Sequence, residues 1–388
     1  MCDFDEVVNR KGTYSTQWDY TFDRFGKDDV LPFSISDMDF KSPQEILQAL
    51  ITRVNHGVFG YSRWNHNDYK STITHWYNSR FNYAINEDWI MYIPSVIYGI
   101  NKIFEILGSR NDKVLFLSPA YDNFFKSLKA NQQQFITSSL VVENNQFVIN
   151  WQDFESKLKD SKYFLLCNPH NPTGRVWSYN ELEKIVLLAK KYGVIIVSDD
   201  IHMDIVYKPN KFTPILQIAE KLDYLDNTLI ITSASKSFNT PSLGGAYVLI
   251  PNRNIYQKLM SKIKETDSLG SPMILGIIAT MTAYKECSYW LDNLVKYCYN
   301  NIMILQNFLE ENFPDIKMLS PQGTYLTWLD VGCFNKTTEE IQTILVNKGK
   351  LGIMGGDVYG ATTPFLRLNI ACPQSKLELG LAKFKESF

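Results

Sequence analysis

The residues best suited to chemistry lie in one stretch, SASKSFNTPSLGGAY, residues 233 to 247, where Lys236 stands among hydroxyls directly after the apolar, β-branched run Thr228–Thr232. Such a run reads as a strand covered on both faces, so the polar residues after it must emerge at its end. Ligands collect where parallel strands give way to loops, which puts Ser233, Ser235 and Lys236 at a place suited to catalysis. A lysine amine there can attack a carbonyl or serve as a base once it is desolvated. Taken alone, SxSK is more often a solvated turn, and the weight comes from four other motifs.

Each of the four accompanies a short apolar run. NPHNPTGRVW, residues 168 to 177, follows YFLLC, and its prolines and glycine force an irregular turn with Asn171 at the tip as amide donor and acceptor. An ordinary turn explains the same letters. SDDIHMD, residues 198 to 204, closes the run VIIV, and Asp199 at the end of a buried strand is costly unless it meets a cation or a donor. His202 beside it is a ligand, a hydrogen-bond donor or, most commonly for such a residue, a satisfied core histidine. In FLRLNIACP, Arg367 interrupts an apolar strand, either for bidentate capture of a carboxylate or as half of a structural ion pair. In LSPAYDNFF, Tyr121 either lays its ring on a flat ligand or is a core aromatic. Together a lysine, a buried aspartate, an asparagine turn, a stacking tyrosine and a carboxylate-binding arginine make the set that pyridoxal phosphate chemistry on amino acids requires.

Those residues need a scaffold of strands and helices. Residues 1 to 40 carry turn and strand signals. Ser42, Pro43 and Glu45 then read as a capping box that opens an amphipathic helix ended by Gly57. Helices are expected near 66 to 80 and 97 to 107, and apolar runs at 89 to 93, 114 to 118, 163 to 167, 194 to 198, 228 to 232 and 246 to 250. That alternation predicts an α/β fold: a large domain whose mostly parallel mixed sheet lies between helices. After Pro251 the pattern changes to long helices, about 253 to 265, 273 to 285 and 289 to 312. Strand candidates at 324 to 331 and 365 to 371, with helices at 338 to 348 and 375 to 386, then indicate a smaller α+β domain. The division expected is an N-terminal arm and part of the small domain over 1–45, a large cofactor-binding domain over 46–285, and a small C-terminal domain over 286–388.

Composition narrows the function classes. A chain of 388 residues with 45% hydrophobic content can build two cores. A net charge of -2 from 39 basic and 41 acidic residues, with no long run of either sign, points to a small molecule rather than nucleic acid or an anionic membrane. The charged N-terminus and the lack of any long apolar run predict a cytoplasmic protein. Six scattered cysteines (2, 167, 287, 298, 333 and 372) and five histidines show neither disulfide nor metal-ligand spacing, so no metal is expected.

With these motifs in place, the chain resembles the fold-type I pyridoxal phosphate enzymes of the class I/II aminotransferase superfamily, and within them the MalY/PatB group of cystathionine β-lyases, or C–S lyases. The resemblance runs from FSISDMDF through FGYSRWNHNDYK, SVIYGI, SPAYDNFFK, NPHNPTGRVW, SDDIHMD, SASKSFNTPSLGGAY and YLTWLD to FLRLNIACP, nearly the whole chain. It implies that Lys236 carries the cofactor covalently, that Asp199 partners the pyridine nitrogen, and that Asn171 binds the ring oxygen with His202 beside it. Tyr121 matches the stacked aromatic. Arg367 matches the arginine that holds the substrate carboxylate, and Ser36 and Asn171 join it on the substrate side. Ser233, Ser235 and the amides around Val96 and Ile97 would take the phosphate. Tyr61 matches a tyrosine contributed by the neighbouring subunit of a homodimer. Two positions depart from relatives: Gly244, where the aspartate aminotransferase branch has an arginine, and Asp200, where the C–S lyase group usually has glutamate. The activity implied is β-elimination from S-substituted amino acids; the alternatives are transamination and a non-catalytic binding protein.

Overall fold

The computed structural model describes residues 3–319 and 321–388; Cys2 lies outside them. Eight strands form the large sheet: β1 Ile90–Ile93, β2 Val114–Ser118, β3 Phe135–Glu143, β4 Gln146–Ile149, β5 Tyr163–Cys167, β6 Ile195–Asp199, β7 Thr228–Thr232 and β8 Ala246–Leu249. Their order across the sheet is β1-β8-β7-β6-β5-β2-β3-β4. Strands β2, β5 and β7 are buried at every position, as expected of a sheet covered by helices on both faces. Strands β7, β6, β5, β2 and β3 run parallel, so their C-terminal ends share one edge. Strand β8 is antiparallel to both β7 and β1. Two reversals restore direction, so β1 also ends at that edge and β8 begins there.

The helices that matter for the site are α1 Gln44–Asn55, α2 Asn67–Phe81, α3 Val96–Leu107, α4 Ile274–Glu286, α5 Ser288–Asn312 and α6 Gln374–Ser387. A second, antiparallel sheet joins β9 Lys317–Met318, β10 Leu326–Asp330, β11 Met354–Gly355 and β12 Phe365–Asn369 in the order β9-β10-β12-β11. Leu31–Pro32 pairs with Leu351–Gly352, which brings the N-terminal arm to this second unit. Among the described residues no helix is long and apolar enough to cross a membrane.

Several local expectations need correction. Ser42 and Glu45 do not form a capping box: α1 starts at Gln44 with Pro43 as N-cap and no side-chain cap. The Ser42 hydroxyl donates instead to Asn239 O at 3.1 Å, and Glu45 accepts from Tyr289 at 2.8 Å. Tertiary partners outcompete the local cap. Strands β3 and β4 escape the sequence pattern, because β3 mixes serine and threonine with apolar residues and is only partly buried. It is fixed by its ladders to β2 and β4 rather than by its own periodicity. The helices expected to run to 265 and 348 finish as π-turns, at Lys262–Thr266 and Leu345–Gly349. The arm also holds a short helix, Thr21–Phe25, ended by left-handed Gly26.

Helix α3 lies close against the sheet because Gly99 has no side chain. A Cβ there would fall inside contact distance of Ile93 Cδ1 and Ile231 Cδ1, both on fully buried residues. Gly99→Ala should therefore overpack this contact and lower stability by about 1–3 kcal/mol, measured by urea unfolding. An unchanged unfolding midpoint would mean that α3 does not need this approach.

Candidate active site

The shared strand edge gathers most of the candidate residues around a cavity of about 190 Å³. From the parallel strands come Tyr121 after β2, Asn171 after β5, Asp199 at the end of β6, His202 just beyond it, and Ser233, Ser235 and Lys236 after β7. The start of α3 supplies Val96 and Ile97, and the N-terminal arm supplies Ser36. Two candidates are not in this wall. Arg367, buried on β12, reaches the site through Asn171, donating from Nη1 to Asn171 Oδ1 at 3.2 Å. Tyr61 is fully exposed, at 101% relative accessibility, and takes no part in the site of its own chain.

Lys236 is half-buried, and its Nζ donates to Ser36 O at 2.5 Å and to Ser36 Oγ at 3.1 Å. Burial pushes its pKa down to about 8; Asp37 and Asp199 pull it up and Arg367 pushes it further down. The amine is thus poised near neutrality. Asp199 is 3% exposed and pairs in register with Cys167 and Ile231. Burial pushes its carboxyl up to about 7, against the Ile201 N–H, which donates to Oδ1 at 3.2 Å, and against the charge of Lys236. Burial drives the Asp200 carboxyl well above its ordinary value, against a hydrogen bond from Ser198 Oγ and with the Asp199 charge adding to the rise.

His202 is not a charged group here. Burial, with Lys236 and Arg367 nearby, holds its pKa down to about 3, and its Nδ1 is buried without a partner. Arg367 likewise keeps a buried, unpartnered Nε, while Nη2 donates to Ser34 O at 2.8 Å and the guanidinium lies over the Tyr359 ring at 4.6 Å. No carboxylate is bonded to it among the described residues, so the ion-pair reading is not what this arrangement shows. Helix α3 is capped by Ser95, whose Oγ accepts from Tyr98 N at 3.3 Å. The N–H groups of Val96 and Ile97, in the first turn, have no intrahelical acceptor and suit an anion. The Ser233 hydroxyl is already engaged, donating to Gly245 O at 2.8 Å and accepting from Ser235 N at 3.2 Å.

Gly244 explains one departure. Its φ is +69°, and a Cβ would run into Met273 Sδ, so an arginine cannot occupy this backbone position without rearrangement. Sequence reasoning gave no role to Cys167 and Tyr325. Cys167 lines the cavity with its thiol pushed well up by burial, beside Asp199. Tyr325 donates to Ser36 O at 3.0 Å, sharing the acceptor of Lys236. Tyr325 stands in a quoted motif, YLTWLD, but nothing local ties it to residue 36. Pyridoxal phosphate fits this donor set: an amine, a buried acid, a neutral imidazole with an open nitrogen, and free N–H groups at a helix start.

The chain's relatives agree with that fit. The family model for aminotransferase class I and II matches residues 28–384. Protein MalY of Escherichia coli (strain K12) is 39% identical over 385 residues, covering 98% of this chain and 97% of that protein. Cystathionine beta-lyase PatB of Bacillus subtilis (strain 168) is 32% identical over 385 residues, covering 98% of each. Among solved structures, cystalysin from Treponema denticola, which contains a pyridoxal 5'-phosphate cofactor, matches with a TM-score of 0.94 and 29% identity over 100% of this chain and 98% of that one.

The Asp199 carboxyl costs stability when it is ionised without a cationic partner. Below its unfolded value near 3.8 it is protonated in both states and contributes nothing. As pH rises from there to about 7, the unfolded chain loses the proton first and the folded state is progressively disfavoured. Asp199→Asn removes this cost. Without cofactor, the variant should melt together with the unsubstituted protein near pH 4 and increasingly above it up to about pH 7, a gap on the order of a few kcal/mol. Parallel melting curves at all pH values would refute the buried, raised carboxyl.

Proposed function

Because this chain belongs to the class I and II aminotransferase family, with the pyridoxal phosphate-dependent fold type I, we propose that it is a carbon–sulfur lyase. It cleaves S-substituted L-amino acids such as cystathionine or cysteine to pyruvate, ammonia and a thiol or sulfide. The observation that carries the reading is Lys236, an amine tuned to about 8 at the strand edge that also holds Asp199 and Asn171. The subgroup rests on the MalY and PatB relatives. We place the protein in the cytoplasm.

Pyridoxal phosphate, when bound, supplies an electron sink for the charge left when a Cα bond breaks. Lys236 would hold it covalently, and Asp199 would keep a proton on its ring nitrogen. Asn171, whose Oδ1 accepts from Arg367, would meet the ring oxygen through Nδ2, with His202 as a neutral neighbour. Tyr121 would stack against the ring. The Val96 and Ile97 N–H groups, with Ser235 and Ser233, would hold the phosphate; the Ser233 hydroxyl would have to turn from Gly245 O to take part.

Arg367, through the donors it has not committed to Asn171 and Ser34, takes the substrate carboxylate and so orients the Cα–H bond. Displaced from the cofactor by the substrate amine, Lys236 would be free to remove the Cα proton; the Cβ–S bond then breaks, and the proton returned from Lys236 neutralises the departing sulfur. The enamine left behind takes up water, giving pyruvate and ammonia. Transamination needs the same residues up to the loss of the Cα proton, and the family includes it. With cystathionine and no keto acid, pyruvate, ammonia and homocysteine should appear in equal amounts over many turnovers. A single turnover that resumes only when a keto acid is added would make the protein an aminotransferase.

The working unit is a homodimer with shared sites. Support comes from the exposed apolar residues Ile51, Val54, Val58, Phe59 and Tyr61, clustered around the end of α1, and from the place of Tyr61 in the resemblance. The partner's Tyr61 then reaches the phosphate. Lys236→Ala and Tyr61→Ala proteins, each inactive, should regain about a quarter of full activity when unfolded and refolded together, since half the molecules are mixed dimers with one intact site. Mixed dimers without activity would rule out sharing.

A further inference from the structure

The segment 34–40 passes over Lys236 with almost no backbone ladder of its own. Its polar groups are held by side chains from both sheets. Asn369 Nδ2 donates to Ile35 O and Asp37 O, each at 2.6 Å, and Arg367 Nη2 donates to Ser34 O. From the turn that follows β7 of the large sheet the corresponding holder is Asn239, three residues beyond Lys236. Its Oδ1 accepts from Met38 N at 3.0 Å, and its Nδ2 donates to Met38 O at 3.0 Å and to Phe40 O at 2.7 Å. Lys236 and Asn239 therefore grip the same segment from one short turn, Lys236 at Ser36 and Asn239 at Met38 and Phe40.

We propose that Asn239 is a positioning residue: its side-chain amide locks the turn bearing Lys236 to residues 36–40, and so fixes the Ser36 oxygen atoms as the acceptors that aim the lysine amine. Asparagine meets two requirements at once. The backbone there is left-handed, φ +55°, a conformation that asparagine tolerates better than most residues. The clamp also needs an acceptor and two donors on one short side chain, which aspartate, serine and glycine each lack. Glutamine has the groups but one methylene too many. The inference rests on the reading of Lys236 as the base, and two of its readouts do not need turnover.

Two variants separate backbone from clamp. Asn239→Gly keeps the left-handed turn and removes all three hydrogen bonds; Asn239→Asp keeps size and shape but turns a carboxylate toward Met38 O and Phe40 O. In the full-length protein, hydrogen exchange of the amides in 35–40 should quicken in both, while that of β5 and β6 stays unchanged. In the cofactor-free protein, the pH at which Lys236 is half-reacted by an acylating reagent, measured by mass spectrometry, should move down, because an ammonium loses its fixed acceptors. Of the charged groups that act on Lys236, Asp199 and Arg367 are untouched by Asn239→Gly, whereas Asp37 lies in the released segment, and its withdrawal moves the Lys236 titration down as well. With cystathionine, kcat should fall by about tenfold to a hundredfold while the affinity for pyridoxal phosphate holds within about twofold. Unaltered exchange in 35–40, or quicker exchange with unchanged Lys236 titration, would overturn the proposal. Failure of the lyase reading instead shows as no turnover by the unsubstituted protein, with the exchange and titration results still deciding the clamp.

Discussion

Removing a lysine amine and an aspartate from water at the same sheet edge is the constraint on which this structure turns. Each ionised group resists burial, and here burial is the largest influence on both, lowering Lys236 and raising Asp199. The two shifts bring the amine to about 8 and the carboxyl to about 7, both near neutral pH. A fold optimised for stability alone would place neither group there. Beside them burial strips the His202 imidazole of its proton and pushes the Asp200 carboxyl up.

The site also depends on two sheets that do not share a single strand. Lys236 and Asp199 stand on the large sheet and Arg367 on the small one, and the arm segment 34–40 lies between them, accepting from both. The arm is anchored away from the cavity by a buried ion pair, Lys376 with Asp39 at 2.5 Å, which Arg10 joins at 2.8 Å. That cluster holds the arm to α6, so the position of Ser36 is set by contacts on all sides.

Cavity size is not what identifies the site. A wider depression, about 940 Å³, lies between α1 and α4 and is lined by Gln44, Glu45, Gln48, Arg53 and His56 among others. Gln44, Gln48 and His56 are exposed there, and Glu45 is engaged by Tyr289. The smaller cavity of about 190 Å³ joins an amine, a carboxyl, an amide, an imidazole and a helix start. Convergence of perturbed groups is a better guide to chemistry than volume.

The strand-end motifs were legible from sequence because parallel strands impose a simple rule: the residues after each buried run emerge at one edge. Lys236, Asp199, Asn171 and Tyr121 could each be placed at that edge from the letters alone, together with the strands from β5 to β8 and the change to long helices after Pro251. Local order on the periphery could not be read. Strand β3 hides behind serines and threonines, and Ser42 leaves its expected cap for Asn239, since partners distant in sequence decide both. Only the tertiary structure decided how Arg367 is held, that His202 is neutral with an open nitrogen, and that Ser36, Tyr325 and Lys236 share one carbonyl. The reason is physical: a residue's type and its neighbours in the chain set what it can donate or accept, whereas its pKa and its partners depend on water excluded and groups delivered by segments up to some hundreds of residues away.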